Sequence, residues 1–141
     1  MQSLTKKFHI QPRDFVKAGE ASLKIQRLLK EIGFDGNLVR RVAVCAYESE
    51  MNVVMYGGDG QIELQVAPKR ISIVTQDDGV GIENIEKALE EGYSTAPPEY
   101  REMGFGAGMG LPNIKKNADE CEIVSKKGSG TVLKMAFEVG Q

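Results

Sequence analysis

The chain has 141 residues, 41% hydrophobic and 27% charged, with a formal net charge of −2 and a pI near 5.5. That length suits one domain spanning residues 1–141, with a proper core, and the charge balance gives no electrostatic footprint for nucleic acid. No stretch approaches the ~18 apolar residues needed to span a bilayer, and Met1 to Lys7 lacks a signal-peptide core, so a cytoplasmic protein without membrane contact is expected. Cys45 and Cys121 are read as free thiols, and a single histidine, His9, leaves almost no material for a zinc site or a histidine-based triad.

Thr5 to Ile10 alternates like a strand. From Pro12 to about Ile32 the apolar positions Phe15, Ala18, Ala21, Ile25, Leu28, Leu29 and Ile32 follow helical spacing, with Pro12 placed for a first turn and Leu23 off the stripe. Gly33 closes that helix, and Asp35-Gly36-Asn37 offers caps for a second one over about Leu38 to Tyr56. Gln61 to Val66 alternates cleanly, Ala67-Pro68-Lys69-Arg70 turns the chain, and Ile71 to Gln76 returns it as a hairpin. A short helix is expected around Glu83 to Glu90, then a long Gly- and Pro-rich loop over about 92–108, a length typical of functional lids. Leu111 to Asp119 reads as a helix. Glu122 to Ser125 and Thr131 to Val139 read as a closing hairpin. The sum is an α+β fold: a helical layer over one mixed, mainly antiparallel sheet.

Four features carry chemistry. On the second helix Val44, Glu48 and Asn52 share a stripe, whereas Glu50 points about 200° away from Glu48. A carboxylate and an amide on a mostly apolar helix cost free energy unless paired or coordinating something, and an amide oxygen suits Mg²⁺. Taken alone, this helix is better explained by a satisfied polar pair or a solvated face. Asp77-Asp78-Gly79-Val80-Gly81 ends a strand with Asp77 on the face of Ile71, Ile73 and Thr75, the face expected under the helices. An ionised carboxylate only accepts hydrogen bonds and so suits an exocyclic amine such as that of adenine, while Gly79 and Gly81 let a ring and ribose lie on the backbone. An ordinary Asp-Gly turn is the bland alternative.

The run Gly104-Phe105-Gly106-Ala107-Gly108-Met109-Gly110-Leu111-Pro112 opens a helix and so presents free N–H groups to phosphate. It is neither a Walker loop nor a Rossmann fingerprint, and a flexible linker is its alternative. Thr131, after Gly128-Ser129-Gly130, shares a face with Leu133, Met135 and Phe137, where its hydroxyl can join Asp77 around a base or simply form strand.

Taken in order, Glu48-x-x-x-Asn52, Asp77-x-Gly79-x-Gly81, a long lid, Gly108-x-Gly110-Leu111 and Gly130-Thr131 resemble the Bergerat-fold ATPases of the histidine-kinase-like (GHKL) superfamily. Length, the Glu48/Asn52 spacing and Glu91-Gly92-Tyr93-Ser94-Thr95 resemble the small anti-sigma-factor and stressosome switch serine kinases of bacteria. The resemblance covers essentially the whole chain. It implies a two-layer Bergerat sandwich that binds ATP or ADP with Mg²⁺ on Asn52. Asp77 reads adenine with Thr131 nearby, Gly79 and Gly81 line base and ribose, and the amides of Gly108, Gly110 and Leu111 bind phosphates.

Glu48 then orients or deprotonates the attacking serine of a STAS-domain antagonist protein. A sigma factor or a phosphatase is the implied further partner, and the edge near Phe8 to Ile10 is available for pairing in a homodimer. The chain departs from the family where anti-sigma members often carry an arginine before the last glycine box. Gly106-Ala107 stands there, Arg101 is the nearest candidate, and Pro97 to Glu102 looks like an insert in the lid. A nucleotide-gated binding module without phosphotransfer is the competing function. A sensor histidine kinase fragment is disfavoured because no phospho-acceptor histidine helix is present.

Overall fold

The computed structural model describes residues 3–82, 84–92, 98 and 109–140. Its elements are β1 (Leu4–Ile10), α1 (Glu20–Ile32), α2 (Gly36–Tyr56), β2 (Gly60–Val66), β3 (Arg70–Asp77), α3 (Ile85–Ala88), α4 (Gly110–Asn117), β4 (Glu120–Ser125) and β5 (Thr131–Glu138). Most of the expected lid over about 92–108, with Gly108, Arg101 and the Tyr93-Ser94-Thr95 run, lies outside the described residues.

The five strands form one sheet in the order β1-β2-β3-β5-β4. All four ladders between described strands are antiparallel, so the mixed sheet expected from sequence is corrected. The β2–β3 and β4–β5 connections are hairpins, β1 reaches β2 through α1 and α2, and β5 takes its place beside β3 only after the chain has passed through α3, α4 and β4. Alternation then sorts the side chains. Ile62, Leu64 and Val66 pair across with Thr75, Ile73 and Ile71, which pair in turn with Leu133, Met135 and Phe137. All nine are buried under α1, α2 and α4. Burying a side chain of this size contributes roughly 1.5–3 kcal/mol, so a one-residue slip in any central strand would be strongly opposed.

The second helix follows its reading closely: Asp35 caps it by accepting from the N–H groups of Asn37 and Leu38 at 3.0 and 3.3 Å. The first helix does not. Residues 12–13 and 15–19 are turns, and α1 starts only at Glu20, so the expected start at Pro12 is corrected. Gly19 sits at φ 95°, a left-handed conformation that interrupts a helix, and Arg13 sits at φ 64°. Phe15 and Ala18 still pack on the core, which is why their spacing looked helical, whereas Val16 is 94% exposed.

The charge that starts α1 comes from α2. The buried Glu50 carboxylate accepts from the N–H groups of Gly19, Ala21 and Ser22 at 3.0, 3.3 and 2.9 Å. In return, Arg13 donates to the carbonyls of Val54 and Gly57 at the C-terminal end of α2, both at 3.0 Å. Each helix end is thus satisfied by a side chain from a distant part of the chain. The helix expected at Glu83 to Glu90 shortens to the single turn of α3, capped by Asn84, whose side chain accepts from the N–H of Lys87.

Candidate nucleotide site

The last pleat row of the sheet lies just beyond the core rows. Along it Gly60, Asp77, Thr131 and Ser125 stand side by side on successive strands, on the face the helices cover. Asp77 and Thr131 are therefore direct partners. The Asp77 carboxylate is held by its Oδ1, which accepts from the N–H groups of Gly79 at 2.8 Å and Gly58 at 3.2 Å. Among the described residues nothing donates to Oδ2, so the second oxygen is available to an incoming donor. Thr131 Oγ1 lies 2.7 Å from Ser125 Oγ, which donates to the Gly130 carbonyl at 3.1 Å and accepts from the Ile82 N–H at 2.6 Å. With its one proton spent on Gly130, Ser125 accepts from Thr131, and the lone pairs of Thr131 stay available.

Two of the sequence-marked glycines have a reason inside the protein. A Cβ at Gly79 would overlap the backbone of Gly57 and Gly58, where the turn after α2 crosses the end of β3. Gly81 holds φ 78° with its Cα turned onto the Lys126 carbonyl. These residues let three backbone segments close around Asp77, and a side chain at either would push the turn apart.

The second cluster lies along α2. Glu48 and Asn52 are half-buried and one turn apart, as their spacing predicts. Both face the first residue of α4: a Cβ built on Gly110 would stand 3.4 Å from Glu48 Oε1 and 3.5 Å from Asn52 Oδ1. Glu48 Oε2 accepts from Asn113 Nδ2 at 3.1 Å. Among the described residues no hydrogen bond engages the Asn52 amide. Among the described residues no side chain caps the start of α4 after Met109, so its first N–H groups have no side-chain partner there, while Leu111 and Ile114 anchor the helix in the core. From Gly57, against Asp77, back to Glu48 the helix rises about 13 Å at 1.5 Å per residue. A base at one end and a polyphosphate at the other match that layout.

Electrostatics around the stripe are set by burial. The Tyr47 hydroxyl has its pKa raised, chiefly by desolvation and then by the charges of Glu48 and Glu50. The Cys45 thiol, fully buried and 3.7 Å from the Ile114 carbonyl to which it donates, is pushed up to about 12, mainly by desolvation. It is packing material. A shallow depression lined by Gln65, Ser72, Val74 and Lys134 lies on the opposite face of the sheet, away from these groups.

Sequence reasoning placed Glu48, Asn52, Asp77, Gly79, Gly81, Gly110, Leu111 and Thr131, and the structure gathers them into these two clusters. Gly108 falls outside the described residues. Missed were Asn113, Ser125 and the Gly57-Gly58 turn. The glycine pair was a visible signal, as was the place of Ser125 opposite Thr131 in the closing hairpin, but nothing local marks Asn113, whose partner is 65 residues away.

The sequence profile of the histidine kinase-like ATPase domain matches residues 12–137. The chain belongs to the histidine kinase-like ATPase family. Within this family it groups with the switch serine kinases and anti-sigma factors. It is 35% identical over 112 residues to the serine/threonine-protein kinase RsbT of Bacillus subtilis (strain 168), covering 77% of this chain and 78% of that one. It is 30% identical over 109 residues to the anti-sigma F factor of Clostridium beijerinckii, covering 72% and 73%. Among solved structures, the mycobacterial sensor histidine kinase MprB superposes with TM-score 0.54 at 15% identity, over 96% of this chain and 98% of that one. The RsbU and RsbW domains of a Mycobacterium tuberculosis protein superpose with TM-score 0.58 at 16% identity, over 96% of this chain and 33% of that one. At such identities the structures speak for the family fold, an α+β layer of helices on an antiparallel sheet.

Proposed function

We propose that this histidine kinase-like domain binds Mg·ATP between the sheet-end row and the α2 stripe and transfers the γ-phosphoryl group to a serine of a STAS-domain antagonist. It is a serine protein kinase and anti-sigma-type regulator of the partner-switching kind, related to RsbT and the anti-sigma F factors. The observation that carries the reading is the convergence of Glu48 and Asn52 on the uncapped start of α4.

Each residue has a task its geometry supports. Asp77 Oδ2 accepts the exocyclic amine of adenine, with Thr131 beside it. The N–H groups of Gly110 and Leu111 meet phosphate at the positive end of α4. The donor set fits a hard dication shared with phosphates: an amide oxygen at Asn52 with no hydrogen bond among the described residues, beside a carboxylate. When bound there, Mg²⁺ would neutralise charge developing on the phosphate oxygens.

Glu48 orients the acceptor serine and takes its proton. The serine Oγ bonds to the γ-phosphorus as the bond to the β,γ-bridging oxygen breaks and ADP leaves. Because this transition state is loose, positioning matters more than base strength. The product phosphoserine adds about −2 of charge where a neutral hydroxyl docked, which drives the partners apart and frees the kinase for a sigma factor or a phosphatase.

Calorimetry with ADP tests the site. Magnesium-dependent binding in wild type that is lost in Asn52→Ala is expected. In Glu48→Ala, ADP binding should persist while phosphate transfer to a purified STAS-domain protein falls by about 10²-fold or more. Undiminished transfer in Glu48→Ala would remove the role given to Glu48, and no ADP binding by wild type at millimolar concentration would remove the site.

A further inference from the structure

We infer that Asn113 is a positioning residue for phosphotransfer: its amide holds the Glu48 carboxylate in the orientation that meets the acceptor serine. The inference rests on the kinase reading above and extends it to a residue on a different element.

Glu48 sits on a long helix with a flexible side chain, half-buried beside the start of α4. Left alone, such a carboxylate would sample several rotamers, and each costs the reaction its alignment. The structure removes that freedom from one side. Asn113 Nδ2 donates to Oε2 at 3.1 Å, which leaves Oε1 turned toward Gly110, at the mouth of the phosphate-binding helix start. The two oxygens therefore differ: one is tethered and one faces the site.

Asn113 is itself well fixed. Its backbone N–H donates to the Met109 carbonyl at 2.9 Å in the first turn of α4, and its carbonyl accepts from Asn117 Nδ2 at 2.8 Å. On either side of it Pro112 and Ile114 are buried, so the helix cannot easily rotate the amide away. Any movement of the α4 start on binding phosphate is thus passed to Glu48 through a single hydrogen bond. The amide makes Glu48 sensitive to whether the phosphate end of the site is formed.

A double-mutant cycle decides the matter, using wild type, Asn113→Ala, Glu48→Gln and the pair, with a purified STAS-domain protein and its Ser→Ala variant as acceptor and control. Positioning through Glu48 predicts that Asn113→Ala lowers kcat by about tenfold to a hundredfold, the scale of a ~1 Å misplacement, with KM for ATP and ADP affinity little changed. In the Glu48→Gln background the same change should have almost no further effect, and Asn113→Gln should recover part of the loss. Additive losses, or an ADP affinity that falls with kcat, would overturn the inference and make Asn113 a phosphate-binding or structural residue. If wild type itself transfers no phosphate, the kinase reading fails instead. The tether is then judged separately by the Asn113 side-chain amide resonance, which should move in Glu48→Gln if the contact exists in solution and stay still if it does not.

Discussion

Asp77 uses one carboxylate oxygen to fasten the turns around it and leaves the other without a donor among the described residues, and this division of labour can be separated by an isosteric change. In Asp77→Asn the Oδ1 contacts to Gly58 and Gly79 survive, but the other atom becomes a donor facing the amine of adenine. ADP affinity should fall by about tenfold to a hundredfold, the worth of a hydrogen bond to a charged group, with little change in melting temperature. Inosine diphosphate, which carries a carbonyl at that position, should lose less or gain. Equal losses for both nucleotides in calorimetry would remove Asp77 from base recognition. The carboxylate itself was legible in the sequence, since alternation from Ile71 through Thr75 puts it on the helix-covered face. The reason for Gly79 was not: the space above it is taken by the backbone of Gly57 and Gly58.

Between elements, the cross-capping of α1 and α2 shows how a helix start can be decided far away. The three N–H groups at the start of α1 have their acceptor on Glu50, 28 to 31 residues later. Glu50→Ala would leave these buried donors without a partner and should cost about 3 kcal/mol or more in urea unfolding, with Glu50→Gln retaining part of the stability through its one remaining oxygen. A loss below about 1 kcal/mol in Glu50→Ala would mean that water replaces the carboxylate and that Gly19 alone ends the preceding turns. Helical periodicity extended the helix back to Pro12 because Phe15 and Ala18 do pack on the core. Periodicity records which residues are buried and not which backbone angles they hold.

At the scale of the whole molecule, the helical layer is tied to the far edge of the sheet by Asp119. Its carboxylate accepts from the Glu138 N–H at 2.7 Å and pairs with Arg41 of α2 at 2.9 Å, and Arg41 also donates to the Asn117 carbonyl at 2.9 Å. The Glu138 N–H, then Arg41, hold the Asp119 pKa below the usual carboxylate range. A folded pKa below the unfolded value contributes stability that is complete above the unfolded pKa of about 3.9 and is lost as pH falls through the folded one. The stability gap between wild type and Asp119→Asn should therefore be widest near neutrality, narrow as pH drops below about 4, and close at lower pH. A gap independent of pH in denaturant titrations would contradict this. Among the described residues no helix is long and apolar enough to cross a membrane.

The sequence by itself determined the pleats of β2, β3 and β5, the extent of α2 and the faces carrying Glu48, Asn52, Asp77 and Thr131. Burial imposes a period on apolar side chains, and the polar residues of the site interrupt that period at predictable places. Only the tertiary structure decided where α1 begins, that β5 pairs antiparallel with β3, and that Asn113 reaches Glu48. Those are hydrogen bonds between groups distant in the chain, and a single distant partner leaves no periodic trace in the residues around either end.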